Sequence, residues 1–283
     1  MTAPESLRRS ERITKDRTMN HHRPKRAFER AEFLSSAEGR GIRILSEYLE
    51  PEQRLNALRI WHTAVFFGSA RLRDRETAAN QLADLEKRNA AEEQIAAARV
   101  DLEMSRYYED ARALAAMITK WSRTLPEEER LYVCSGGGGG IMEAANRGAS
   151  EAGGRTVALN IQLPFEQVAN PYTQEDLTFD FHYFFMRKFW FVYRAKVIIV
   201  FPGGFGTLDE LLESLTLTQT GRVEKRMPIV IYGKEFWNSV INFSILAEKR
   251  VISPSDLELF HFSDTPEDAF AHVCDKLSFD SGT

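Results

Sequence analysis

The chain predicts an α/β fold in which a doubly wound parallel sheet is covered by helices on both faces. Three observations carry this. Short apolar runs recur along the 283 residues, helical segments alternate with them, and two runs end in glycine-rich turns that each open a helix. The runs are TAVFF (63–67), LYVCS (131–135), TVALNI (156–161), KVIIVF (196–201), PIVIY (228–232) and LELFHF (257–262). Unbroken apolarity such as VIIVF suits a strand buried on both sides, where alternation would serve no purpose.

Taken in order, residues 1–30 carry Arg8, Arg9, Arg12, Lys15, Arg17, Arg23, Lys25, Arg26 and Arg30 against four acids, with few apolar residues. Residues 1–37 are therefore expected to be a solvated, disordered arm, and residues 38–283 a single α/β domain. After the first strand, residues 74–104 are rich in Ala, Glu, Lys and Arg without glycine or proline, which predicts a long exposed helical insertion. It runs into YYEDARALAAMITKW, where Tyr108, Ala111, Leu114, Ala115 and Ile118 keep helical spacing and predict the crossover helix. Near the end, Thr265 followed by Pro266 marks the N-cap of a last helix.

Composition narrows the function. A length of 283 residues with 43% hydrophobic content is near the upper limit for one core, and a formal net charge of -4 gives no global nucleic-acid signature. No apolar run approaches the roughly 20 residues of a membrane-spanning helix, and the start has no signal-peptide pattern. Cys134 and Cys274 lie far apart in a strand-like and a helix-like stretch, so a reducing cytoplasm is expected. The His residues are scattered without ligand partners, so no metal is expected, and no lysine announces a Schiff-base site.

The two glycine turns, SGGGGG (135–140) and PGGFGT (202–207), are candidate phosphate cradles. Glycine lets backbone approach a ligand closely, and a helix start offers unpaired N–H groups and a positive dipole end. Both turns follow strands, where open α/β sheets bind ligands. The dinucleotide and P-loop patterns fail: the third glycine of G-x-G-x-x-G would fall on Ile141, and no Gly-Lys-Ser/Thr follows either turn. Thr207 and Glu210 fit a capping box, with Asp209 complementing the helix dipole. Equally, Leu208, Leu211, Leu212 and Leu215 form a stripe from which Glu210 points away, toward a cleft, solvent or another subunit, as a catalytic carboxylate would.

PGGFGTLDE (202–210) resembles the P-G-G-x-G-T-x-x-E motif of the LOG (Lonely Guy) family, once labelled lysine decarboxylases, whose enzymes are nucleoside 5′-monophosphate phosphoribohydrolases. FGSAR (67–71), SGGGGGIMEAANRGA (135–149), LNIQLPFEQVANPY (159–172), FFMRKFWFV (184–192) and DELLESLTLTQTGR (209–222) extend the resemblance, in the family's order, over residues 38–275. The resemblance implies a Rossmann-like fold and a homodimer or larger homo-oligomer with sites completed by a neighbouring subunit. It implies no cofactor. Arg187 and Glu210 are implied as the catalytic pair, and Gly203, Gly204, Gly206 and Thr207 as the cradle of the 5′-phosphate. Lys188 and Gly137, Gly138 and Gly139 are implied to support phosphate or ribose, and Gly68 and Ser69 to line the nucleotide pocket.

The chemistry suits these residue types. Breaking an N-ribosidic bond builds positive charge on the ribose and negative charge on the leaving base, so a carboxylate near the sugar and a cation near base or phosphate both help. His182, Tyr183, Phe184, Phe185, Phe189 and Trp190 are aromatic candidates for base stacking, most of them expected in the core. The substrate so implied is a purine nucleoside 5′-monophosphate, AMP or an N6-modified relative such as a cytokinin ribotide. The alternatives are a non-catalytic carrier of a phosphorylated ligand, as in molybdenum-cofactor carriers, and a nucleic-acid role for the basic arm.

Overall fold

In the computed structural model, residues 24–161, 163, 169–222 and 227–277 are described. The predicted arm lies largely outside them. The described residues up to Arg43 and those from Ile44 onward form two compact units. In the first, α1 (Ala31–Ser35) precedes the start of α2 (Arg40–Ala57), and Arg43 donates to the carbonyls of Leu34 and Ser36.

In the second unit the strands are β1 (His62–Phe67), β2 (Leu131–Ser135), β3 (Thr156–Ile161), β4 (Thr178–Phe181), β5 (Ala195–Val200), β6 (Ile229–Tyr232) and β7 (Phe260–Ser263). All pairings are parallel and the order is β4-β3-β2-β1-β5-β6-β7. The helices are α3 (Arg75–Lys87), α4 (Glu92–Ser122), α5 (Ile141–Glu151), α6 (Phe184–Arg194), α7 (Phe205–Gln219), α8 (Lys234–Val240), α9 (Phe243–Glu248) and α10 (Pro266–Lys276). The chain winds outward from β1 to β4, returns to the other side of β1 at β5, and winds outward again. β1 and β5 therefore flank a switch point, the place where doubly wound sheets bind ligands.

Two apolar layers sandwich the sheet. Val65, Phe67, Ile198 and Val200 point to the layer with Trp190 and Phe191 of α6, Leu211 of α7 and Trp237 of α8. Their sequence neighbours Ala64, Phe66, Val197 and Ile199 point to the layer with Leu114 and Ile118 of α4, Ile141 and Ala145 of α5, and Val273 of α10. The period-2 geometry of a strand thus feeds both cores, which is why these strands are apolar throughout. At the switch point, Phe201 N–H donates to Phe67 O at 2.8 Å and Ser69 N–H to Pro202 O at 2.9 Å, joining the ends of β1 and β5.

Three sequence expectations need adjustment. Edge strand β4 was not anticipated, because only Phe179 and Phe181 of its four residues are apolar and alternate with Thr178 and Asp180. The run LELFHF is divided: residues Pro254–Glu258 form a 3-10 turn, and only Phe260 to Ser263 pair with β6. The stretch 74–104 is two helices, because α3 ends at Lys87, Asn89 just beyond it has φ of 49°, and α4 continues for 31 residues into the crossover segment. Asn accepts this left-handed conformation better than most residues. Thr265 caps α10 by accepting from Asp268 N–H, with Pro266 in the first turn.

Candidate functional site

The cleft at the switch point has a volume of ≈ 750 Å³ and is lined from the ends of β1, β2 and β5 and by α6 and α7. Gly68, Ser69, Arg187, Gly203, Gly204, Gly206, Thr207 and Glu210 all line it. It also takes Gly136, Met142, Ile161, Phe191 and Phe205 as its walls.

One corner of the cleft is the turn before α7. The helix starts at Phe205 with Gly204 as N-cap and no side chain bonded to the cap. The first intrahelical bond runs from Leu208 N–H to Gly204 O at 3.0 Å, so the N–H groups of Phe205, Gly206 and Thr207 have no acceptor within the helix. Gly203 is required by packing, since a Cβ there would stand 2.1 Å from Thr207 Oγ1. At Gly204 and Gly206 a Cβ would meet nothing within 4 Å, so the protein's own packing leaves this space open. An open, uncapped helix start is an anion site by geometry and dipole.

This start corrects the capping-box reading. Thr207 is the third helical residue rather than the N-cap, so Glu210 cannot close a box with it. The predicted stripe is also rotated. Thr207, Glu210, Leu211 and Ser214 are the buried residues of α7, whereas Leu212 is 46% exposed. Glu210 sits on the inward face, only 9% exposed, where helix and cleft meet. Burial raises its pKa to about 7, against the opposing pull of Lys188 and Arg187.

Arg187 enters the cleft from α6. Its Nε donates to Leu159 O at 2.7 Å, and its guanidinium lies 5.0 Å from the Phe191 ring centroid. Burial lowers its pKa from the ordinary arginine value, and the Glu210 carboxylate acts in the opposite sense. The two groups thus favour each other's charged form inside one cleft.

Lys188, the next residue, is directed elsewhere. Its Nζ lies 2.7 Å from Asp209 Oδ2 and 3.0 Å from Glu213 Oε2, and it is not among the lining residues. Partial burial works against its charge, but the hydrogen bonds to Asp209 and Glu213 prevail and raise its pKa. Asp209, one turn into α7, is engaged with this lysine rather than with the helix start.

Gly137, Gly138 and Gly139 also stand back from the cleft; of that turn only Gly136 lines it. A buried amide network accounts for this. Asn170 Nδ2 donates to Gly137 O at 3.1 Å, Gly138 O at 3.0 Å and Asn146 Oδ1 at 2.9 Å. Ser135 Oγ donates to Asn146 Oδ1 at 2.7 Å and accepts from Gly137 N–H at 3.1 Å. The turn is folded onto its own partners. Sequence reasoning gave Asn146 and Asn170 no role, although each lies in a quoted motif.

The aromatic segment divides. Tyr183 and Trp190 are buried, whereas Phe184, Phe185 and Phe189 are 55%, 51% and 36% exposed. This reverses the expectation that most of them are core. His182 is exposed and also outside the cleft lining. Phe205, overlooked within PGGFGT, is 92% exposed at the start of α7 and lines the cleft. Among the described residues no group of three or more His, Cys, Asp or Glu is placed to hold a metal, and no helix is long and apolar enough to cross a membrane.

The family described as "Possible lysine decarboxylase" matches residues 142–273. A cytokinin riboside 5′-monophosphate phosphoribohydrolase of Arabidopsis thaliana, LOG7, is 30% identical over 169 residues, 54% of this chain and 75% of the relative. A probable cytokinin riboside 5′-monophosphate phosphoribohydrolase of Oryza sativa subsp. japonica, LOGL6, is 27% identical over 140 residues, 48% of this chain and 54% of the relative. Among solved structures, a molybdenum cofactor carrier protein of Chlamydomonas reinhardtii is similar at 18% identity with a TM-score of 0.42, covering 76% of this chain and 98% of its own.

Proposed function

Because the chain belongs to the LOG family, we propose that it hydrolyses the N-ribosidic bond of a purine nucleoside 5′-monophosphate, AMP or an N6-modified relative, to free base and ribose 5-phosphate. The observation that supports this best is the meeting of an uncapped helix start and a buried carboxylate in one cleft, with Arg187 beside them.

In this reading the 5′-phosphate sits on the N–H groups of Phe205, Gly206 and Thr207, with Gly203 and Gly204 allowing its approach. Gly68 and Ser69 line the nucleoside side of the cleft. Glu210 holds ribose hydroxyls and orients water, and its negative charge stabilises the positive charge growing on the ribose. Arg187 offers its fork of donors to the phosphate or leaving base. Water supplies hydroxide to the anomeric carbon and a proton to the base, so the bond from carbon to nitrogen is replaced by one to oxygen. Lys188 acts through its charge on Glu210, and the turn at Gly137 to Gly139 supports Gly136 beneath the site.

The exposed rings of Phe184, Phe185, Phe189 and Tyr193 on α6 suit burial against a second copy of the chain. We place the protein, with its free Cys134 and Cys274, in a reducing cytoplasm.

Turnover of AMP against adenosine tests the reading. AMP should release adenine with kcat/KM at least on the order of 10²-fold above adenosine, since the phosphate supplies the anchor. Equal values would refute anchoring at Gly203 to Thr207. No free base from AMP, adenosine or other nucleoside monophosphates would refute the hydrolase.

A further inference from the structure

We infer that Glu47 is a positioning residue that fixes the start of α6 and thereby holds Arg187 in the cleft. The inference rests on the proposed role of Arg187 and adds to it a residue outside every motif quoted above.

Glu47 lies near the middle of α2, ahead of β1, far from the cleft in sequence. Its carboxylate accepts from two consecutive backbone N–H groups, His182 at 2.9 Å through Oε1 and Tyr183 at 3.1 Å through Oε2. Tyr183 is the N-cap of α6, and no side chain of its own bonds the cap. From another helix, Glu47 instead holds the N–H groups of the N-cap residue and of the residue before it. Glu47 also offers its backbone carbonyl to Trp190 Nε1 at 2.9 Å, about two turns further along α6. The next residue, Tyr48, packs its ring 6.1 Å from Trp190 and 5.5 Å from Phe189.

These contacts bear on Arg187 by a short route. Tyr183 O accepts from Arg187 N–H at 3.2 Å, closing the first turn of the helix. Glu47 therefore grips the residue whose carbonyl carries the backbone of Arg187. A carboxylate at a helix start also meets the positive end of the dipole, so the grip has a preferred orientation. Arg187 has its own side-chain anchor at Leu159 O, and the two anchors lie on different elements. A shift of α6 would move the guanidinium away from Glu210 while the Leu159 bond resisted, and displacements of about 1 Å can cost about 10²-fold in rate.

A purely structural role would make Glu47 one more strut of α2. Leu55, on the same helix and 2% exposed, provides the comparison, because its apolar side chain packs in the core and can accept no hydrogen bond from the start of α6. The experiment measures AMP turnover, melting temperature and amide hydrogen exchange for full-length Glu47→Ala, Glu47→Gln and Leu55→Ala. Glu47→Ala should lower kcat on the order of 10- to 100-fold with KM within about threefold, and should speed exchange at residues 182–187. Glu47→Gln, which keeps an acceptor oxygen, should recover most of the rate. Leu55→Ala should lower the melting temperature without that loss of kcat. The inference is overturned if Glu47→Ala keeps wild-type kcat, or if Leu55→Ala loses as much at an equal drop in melting temperature. Should the wild-type chain release no base, the hydrolase reading is what fails. Exchange at residues 182–187 then decides alone, with unchanged protection in Glu47→Ala overturning the inference.

Discussion

Arg187 lies with its guanidinium over Gly136, so closely that a Cβ on the glycine would stand 2.4 Å from Nη2. The same Cβ would meet Met142 at its sulfur, 2.6 Å away. Both obstacles are the ends of flexible side chains. Gly136→Ala should therefore fold, with a melting temperature within a few degrees of wild type, while kcat falls on the order of 10-fold or more as Arg187 is displaced. Turnover together with thermal melting checks this, and a normally active variant would show that the guanidinium has no required place.

The buried Glu210 makes activity depend on pH. With its pKa raised to about 7, the carboxylate that acts on the ribose forms only as pH rises through neutrality. kcat/KM should climb with a midpoint near 7, and Glu210→Gln should lose that limb. Because Lys188 is the foremost charge lowering this pKa, Lys188→Met should move the midpoint to higher pH. Stability runs the other way. The folded-state pKa lies above the ordinary value of 4.5, so ionisation costs nothing below pH 4.5 and progressively more up to about 7. At pH 8 this cost is on the order of 3 kcal/mol, and Glu210→Gln should be more stable relative to wild type at pH 8 than at pH 4.5. Denaturant titrations at the two values check the sign.

What the sequence disclosed here follows from how each interaction is written in it. The strands of the inner sheet are legible because burial on both faces demands continuous apolarity, as in Val197 to Val200. β4 is not, because an edge strand with one buried face needs only Phe179 and Phe181. The open turn at Gly203 to Thr207 announces itself by composition. The outcome at Gly137 to Gly139 does not, since it depends on Asn170 reaching back over more than thirty residues to Gly137 and Gly138. Likewise the face that α7 buries is set by packing against the rest of the domain, which takes Thr207, Glu210, Leu211 and Ser214 inward and leaves Leu212 exposed, and a leucine count along the helix does not show this.

The amide network should be a matter of stability before chemistry. Asn170→Ala leaves the carbonyls of Gly137 and Gly138 and the oxygen of Asn146 without the donor they share, in a buried setting. A loss of roughly 1–3 kcal/mol is expected, since Gly138 O is left without its donor while Gly137 O keeps the Asn170 N–H and Asn146 Oδ1 keeps Ser135 Oγ. Urea unfolding measures it, and a loss below about 0.5 kcal/mol would mean the turn holds itself.

A charge placed among the exposed rings of α6 should test assembly. Phe185 is 51% exposed, so Phe185→Glu should leave the single chain folded while preventing burial of that face against a second copy. Light scattering should report a multiple of the 32.3 kDa chain for wild type and a smaller species for the variant. A monomeric wild type would remove the neighbouring subunit from the account of the site.

The central claim is that Glu210 acts on the ribose of a nucleotide anchored at the start of α7. Glu210→Gln tests it most directly, because the amide keeps the shape of the side chain and removes the charge, and no capping role confuses the outcome. Adenine release from saturating AMP should fall by on the order of 10²-fold or more, with AMP still bound and the fold intact. A Gln variant that turns over AMP at the wild-type rate would contradict the claim.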